Sequence, residues 1–170
     1  MIRGTVALAV ATVLIVAVQI AIVSPLRVSG VVVMLVWLWP LALGLTGRTV
    51  VAVVTGAVAG FLFDSYTATP YGLTAVVGAT MAWAISRLAR EGVGDLDASA
   101  WWMPPSIMAL GGATAPVVFV VAGALTGHPG YWRASLVAMM VLNAVAFFVL
   151  ARPIARVAQR IAEVGGWVRA

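Results

Sequence analysis

The sequence predicts an all-α integral membrane protein with six transmembrane helices and both termini in the cytoplasm. Hydrophobic residues make up 64% of the 170-residue chain and charged residues only 9%, whereas charged residues form about a quarter of an ordinary soluble domain. The apolar residues fall into six runs, separated by segments rich in charged and turn-forming residues. The arginines are concentrated in alternate connections between these runs, as expected for a chain that crosses a bilayer repeatedly.

The six runs predict spans at about residues 5–24, 30–46, 49–64, 70–87, 101–126 and 133–152, each close to the roughly 20 residues that cross a bilayer. Residues 1–152 then form one transmembrane domain. The first run, Val6 to Val23, is 18 residues long and exceeds the about 7 to 15 apolar residues of a secretory signal. We therefore interpret it as a retained span. Pro40 and Pro116 lie within spans and are expected to kink them.

The arginines predict the orientation of the spans. All ten basic residues are arginine, and short arginine-bearing loops favour the cytoplasmic side. With cytoplasmic termini, only Arg27 and Arg133 lie outside, and the reverse orientation would invert this distribution. The arginines predicted to be cytoplasmic are Arg3, Arg48, Arg87, Arg90, Arg152, Arg156, Arg160 and Arg169. The net charge of +5 therefore reflects topology, and no nucleic-acid partner is expected.

Residues 153–170 are predicted to form a cytoplasmic amphipathic tail that begins near Pro153. Arg152, Arg156 and Arg160 recur at a spacing of four and form one basic face. The opposite face carries apolar residues, namely Ile154, Val157, Ile161 and Val164. Such a helix can lie on anionic membrane lipids or bind a cytoplasmic protein, and the sequence leaves both open.

The side chains needed for most site chemistry are scarce. The chain has no cysteine and one histidine, His128, which excludes disulfides and thiolate metal sites and disfavours histidine metal clusters and catalytic triads. Clustered carboxylates for a metal-dependent membrane enzyme are also missing from the sequence pattern. We therefore expect no catalytic residues, no metal and no cofactor.

Polar and small residues of the third span are the strongest candidates for specific contacts. Gly56, Gly60 and Asp64 recur every four residues and share one helix face, where the glycines allow another helix to approach, either from the same chain or from a partner. Asp64 lies at the C-terminal end of its helix, where the macrodipole disfavours an anion. It is expected either to pair with Arg27 or Arg133 or to cap the backbone of residues 65–67.

Two carboxamide side chains, Gln19 and Asn143, lie well inside other spans. Each could form an interhelical hydrogen bond worth about 1 kcal/mol. Packing is the favoured interpretation for both residues, with ligand binding as the alternative.

The segment Gly60-Phe61-Leu62-Phe63-Asp64, followed by Tyr71-Gly72-Leu73, resembles the bacterial rod shape-determining protein MreD family. That family characteristically has a Gly-Phe/Leu-x-x-Asp segment, followed some residues later by Leu-Gly-Leu or a close relative, in a membrane protein of about this length. Tyr71 stands where leucine is usual. The resemblance implies a partner-binding set on this part of the chain, and we take as its candidates Gly56, Gly60, Phe61, Asp64, Tyr71 and Gly72.

The resemblance also implies a location and partners. MreD proteins are non-enzymatic, multi-pass proteins of the bacterial cytoplasmic membrane and belong to the machinery that elongates the cell by lateral peptidoglycan synthesis. They associate with MreC, a single-span protein, and through it with MreB filaments, RodA and a class B penicillin-binding protein.

The family is similar in fold to the substrate-binding S components of energy-coupling-factor vitamin transporters, and such a component is the alternative function. A vitamin site needs several convergent polar side chains. The sequence offers few near the predicted outer face, so a scaffold is favoured.

Overall fold

The computed structural model describes residues 2–26, 31–67, 69–93, 100–127 and 135–164, and within these ranges all regular secondary structure is helical. The α-helices are α1 (Ile2–Val18), α2 (Leu35–Leu45), α3 (Thr49–Asp64), α4 (Leu73–Leu88), α5 (Met103–Leu125) and α6 (Leu136–Val164). Short π-helical turns extend α1 over Gln19–Val23 and α4 over Ala89–Val93.

Three helical segments are long and apolar enough to cross a membrane: Ile2–Val23, Met103–Leu125 and Leu136–Val164. The other helices are shorter. α2 has 11 residues, and α3 and α4 have 16 each, so at 1.5 Å per residue they extend about 16 Å and about 24 Å. The predicted total of six spans therefore stays a prediction.

The helices pack as two antiparallel hairpins around α2. α3 packs along α4 and α5 along α6, while α2 contacts each of these helices and α1. Ten of the eleven α2 residues are buried, because apolar neighbours surround this helix on all sides. Its largest side chains form the centre of the core, namely Trp37, Leu38, Trp39 and Leu41.

The start of α2 differs from that of the predicted second span. The second predicted span begins near residue 30, but α2 begins at Leu35 and is preceded by non-helical backbone at residues 31–34. The run Val31-Val32-Val33 explains this start, because β-branched side chains favour extended backbone. Pro40 and Pro116 do lie inside α2 and α5.

The tail predicted to begin near Pro153 is a direct continuation of α6. The helix runs through Pro153 to Val164 because one side of the extension is held by packing. That side consists of alanines, Ala155, Ala158 and Ala162, all of which are buried. The predicted apolar face is divided instead: Ile154 and Ile161 are half-buried, whereas Val157 and Val164 are exposed. Residues 165–170 lie outside the described residues.

Candidate functional site

Gly56 and Gly60 pack against α4. A Cβ atom added to Gly56 would lie 2.6 Å from the carbonyl oxygen of Gly78, and one added to Gly60 would overlap the backbone of Thr74 and Ala75. The two backbones are therefore in direct contact, as in close helix pairs with small residues at their interface. The glycine face of α3 is occupied by the chain's own next helix.

Asp64 is 2% exposed and accepts three hydrogen bonds from the segment that leads into α4. The Thr69 hydroxyl donates to Oδ1 at 3.0 Å, and the backbone N–H groups of Gly72 and Thr74 donate to Oδ2 at 3.0 and 3.1 Å. The capping donors thus lie beyond the expected residues 65–67. Because these N–H groups belong to the start of α4, its macrodipole stabilises the carboxylate that the end of α3 disfavours.

Gly72 completes this arrangement through its backbone conformation. Its φ of +89° lies in the left-handed region, which side chains with a Cβ rarely adopt. That conformation precedes the first residue of α4 and directs the Gly72 N–H toward Asp64. Gly60, Asp64 and Gly72, which carry the resemblance in the sequence, therefore act together to build the α3–α4 turn.

The expected ion pair of Asp64 with Arg27 or Arg133 involves residues outside the described ranges, as does His128. The ion pair remains a prediction. The three donors to Asp64 come from within ten residues of it, so the carboxylate is held by local contacts in any case.

Phe61 and Tyr71 lie on the other side of the α3–α4 hairpin and are 49% and 73% exposed. Their ring centroids are 6.2 Å apart, and the Tyr71 hydroxyl lies 2.8 Å from that of Ser65. The Phe61 ring also covers Gly72, since a Cβ atom there would lie 3.5 Å from it. The two rings thus form a fixed aromatic wall.

This wall borders an apolar groove of about 340 Å³. The groove runs along α4 and is flanked by α3 and the end of α5. Small side chains from all three helices line it: Ala57, Ala75, Ala79 and Ala122. Its side-chain hydroxyls belong to Tyr71 and Thr126, and the remaining lining residues are Phe61, Pro70, Gly72, Leu73 and Val76. Three of the six candidate partner-binding residues, Phe61, Tyr71 and Gly72, therefore line one groove.

Gln19 and Asn143, for which the sequence favoured helix packing over ligand binding, form a second polar centre. Both are fully buried and bind the backbone just before α2. Asn143 Oδ1 accepts the Met34 N–H at 2.8 Å, and the Gln19 side chain accepts from Leu35 and donates to the Val33 carbonyl. The run Val31-Val32-Val33 was the available signal in the sequence, because valines favour extended backbone. Buried backbone outside a helix needs hydrogen-bond partners such as these carboxamides.

The three arginines of the predicted basic face are all exposed on α6. Arg152 also joins α6 to the start of α5, because its guanidinium donates to the Trp101 carbonyl at 2.7 Å and lies 5.8 Å from the centre of that ring. Arg156 and Arg160 continue the basic face along the part of α6 that follows Pro153.

Within the described part of the chain, no three histidine, cysteine, aspartate or glutamate side chains come together as a group that could hold a metal ion. No family model matches the sequence, and no curated protein or solved structure is significantly similar to it. The resemblance given above therefore depends on the quoted residues alone.

Proposed function

We propose that this protein is a non-enzymatic membrane scaffold of the MreD type, which binds the transmembrane helix of MreC in the groove along α4. The observation that carries the proposal is the composition of that groove. Three residues of the motif region line it, together with four alanines from three helices. It is open on the apolar surface of the helical bundle, where an apolar helix can reach it.

A helix is a suitable occupant because of how helices associate in lipid. Lipid tails are as apolar as a helix surface, so association depends on close packing and a few hydrogen bonds. Ala57, Ala79 and Ala122 allow a neighbouring backbone to approach. The Tyr71 hydroxyl, which lies 2.8 Å from that of Ser65, can also accept a hydrogen bond from the partner.

The location of the groove changes the role that we propose for the motif. Gly56, Gly60 and Asp64 face α4 and the turn before it. We propose that they maintain the groove by holding α3 and α4 together, without contacting the partner. Contact with MreC is then made by Phe61, Tyr71 and Gly72. In this proposal the scaffold crosses the bacterial cytoplasmic membrane six times, with its basic α6 extension in the cytoplasm near lipids, MreB or other partners such as RodA and the penicillin-binding protein.

A vitamin-binding S component fits the groove less well. Its lining residues carry no charged side chain, and hydroxyls are their only polar side-chain groups. The described interior is filled around α2 by Trp37, Trp39 and their apolar neighbours. A hydrophilic vitamin would need several convergent polar groups to replace its water.

The proposal can be tested by site-specific photocrosslinking in cells that also make MreC. A benzophenone amino acid in place of Phe61 should crosslink to MreC. The matched control is Phe148, which is exposed to 42% on α6 and should give no MreC adduct. Crosslinking from Phe148 with none from Phe61 would exclude the groove.

A second test fills the groove. The substitutions Ala79→Leu and Ala122→Leu should reduce the MreC that co-purifies in mild detergent, because each added side chain occupies space needed by the partner. Val141→Leu, on the exposed surface of α6, should leave co-purification unchanged. A stoichiometric vitamin in the purified protein, with no MreC, would favour the S component instead.

A further inference from the structure

Residues Val31–Met34, called the strap here, lie against the core as non-helical backbone before α2 begins. Val31 is 3% exposed, and the side chains of Val33 and Met34 pack against the core. Buried backbone outside a helix or sheet must find hydrogen-bond partners elsewhere. The side chains that meet this need determine whether the strap stays in place.

Those partners come from two helices far apart in sequence. Gln19, at the junction of α1 and its π-helical turn, accepts the Leu35 N–H and donates to the Val33 carbonyl at 3.0 Å. Asn143 of α6 accepts the Met34 N–H at 2.8 Å. A carboxamide carries both an acceptor and donors, which lets Gln19 bind an N–H and a carbonyl of the same segment.

Asn143 is itself held in position. Its amide group donates to the Met139 carbonyl one turn earlier at 2.8 Å. The neighbouring α5 approaches at Gly112, where an added Cβ atom would lie 2.7 Å from the Asn143 carbonyl oxygen. The acceptor is therefore presented to the strap at a fixed place.

The strap and α2 differ in how firmly they are packed. Val32, Val33 and Met34 are only half-buried, whereas nearly all of α2 is buried. Trp37 in the first turn of α2 has a buried indole N–H without a hydrogen-bond partner in the described part of the chain. The first turn of α2 thus holds a buried polar donor, and the segment that precedes it has side chains that are only partly covered.

We infer that Gln19 and Asn143 form a latch that holds the strap against the core, and that releasing this latch opens the bundle interior at the strap while the rest of the core stays closed. The latch is independent of the proposed MreC groove, because none of its residues lines that groove. The device resembles the broken helices of transporters, in which non-helical backbone is tolerated where protein encloses it.

The absence of cysteine from the sequence allows a direct test with single-cysteine reporters. Val31→Cys reports the strap, and Val77→Cys, at a fully buried position of α4, reports the core. Each reporter is combined with Gln19→Met or Asn143→Leu, which remove the carboxamide and keep a side chain of similar length. Gln159→Met, on the half-buried part of the α6 extension, is the matched control.

Labelling by a water-soluble maleimide is measured on the full chain in lipid nanodiscs. With the latch intact, both reporters should react slowly. Either latch substitution should speed labelling at residue 31 by about tenfold, the change in opening equilibrium expected for one lost hydrogen bond, and leave residue 77 protected. Unchanged labelling at residue 31 would overturn the latch, as would equal acceleration at both reporters or fast labelling at residue 31 with the latch intact.

Discussion

Two polar centres hold the start of a helix in different ways. One is the Asp64 centre, in which Asp64 accepts from Thr69, Gly72 and Thr74, and the other is the Gln19–Asn143 latch. Each supplies acceptors from another helix to the N–H groups at the start of a helix, α4 in one case and α2 in the other. Asp64 binds residues at most ten positions away, whereas Asn143 binds a residue 109 positions away. One centre is a local turn, and the other exists only after the bundle has assembled.

The chemistry of the two acceptors also differs. Asp64 accepts hydrogen bonds from a hydroxyl and from two backbone N–H groups at the start of α4, where the helix dipole favours a carboxylate. The two side chains of the latch are fully buried. As neutral carboxamides they avoid the free-energy cost of burying a charge. The difference shows that a charge is used where local donors surround it, and amides where they do not.

The largest expected effect comes from the backbone contact behind the Asp64 centre. Gly60→Leu should lower the free energy of unfolding by about 3 kcal/mol or more, the upper range for overpacking, because its side chain would overlap the α4 backbone. Thermal unfolding in detergent, followed by tryptophan fluorescence, measures this loss. Val58→Leu, on the exposed side of the same helix, should change little, and equal stability of the two variants would show that α3 and α4 can separate at no cost.

Asp64→Ala should cost about 3 kcal/mol, because it removes a charged acceptor and leaves the N–H groups of Gly72 and Thr74 without a partner. Asp64→Asn, which keeps one acceptor oxygen, should cost about half as much. The same unfolding measurement compares them. If asparagine is as damaging as alanine, the charge itself is required, as the predicted ion pair with Arg27 or Arg133 would demand.

Thr69→Val should cost about 1.5 kcal/mol, because the side chain keeps its shape but loses its hydrogen bond to the carboxylate and its hydrogen bond with the Thr67 hydroxyl. In the Asp64→Asn background the same substitution should cost less, since the acceptor is then neutral. Equal losses of unfolding free energy in both backgrounds would show that Thr69 does not act through its hydrogen bond to the Asp64 carboxylate.

The smallest expected effect is the coupling between the two latch residues. In a double-mutant cycle, Gln19→Met and Asn143→Leu should deviate from additivity by about 1 kcal/mol, because both bind the same strap. Asp64→Asn and Asn143→Leu should be additive, since the two centres share no partner. Coupling of Asp64 with Asn143 that matches the latch pair would mean that the local and long-range centres form one network.

Sequence reasoning succeeded where local spacing decides the outcome. The four-residue spacing of Gly56, Gly60 and Asp64 placed them on one face, and the structure shows the close helix approach that such glycines allow. It failed at the start of α2, because a run of valines suits both a lipid-facing helix and an extended strap. It also placed a tail boundary at Pro153, whereas buried alanines hold α6 as one helix through Val164.

The sequence by itself determined the helical, apolar character of this protein and placed Gly56, Gly60 and Asp64 on one face of a helix, because helix periodicity acts over a few neighbouring residues. Only the tertiary structure decided that α4 covers the glycine face, that Phe61 and Tyr71 line a groove, and that Gln19 and Asn143 meet at one strap. The physical reason is that these contacts depend on how the helices are rotated and aligned against each other. Several apolar faces of similar composition compete for burial here, and their assignment is set by the packing of the whole bundle.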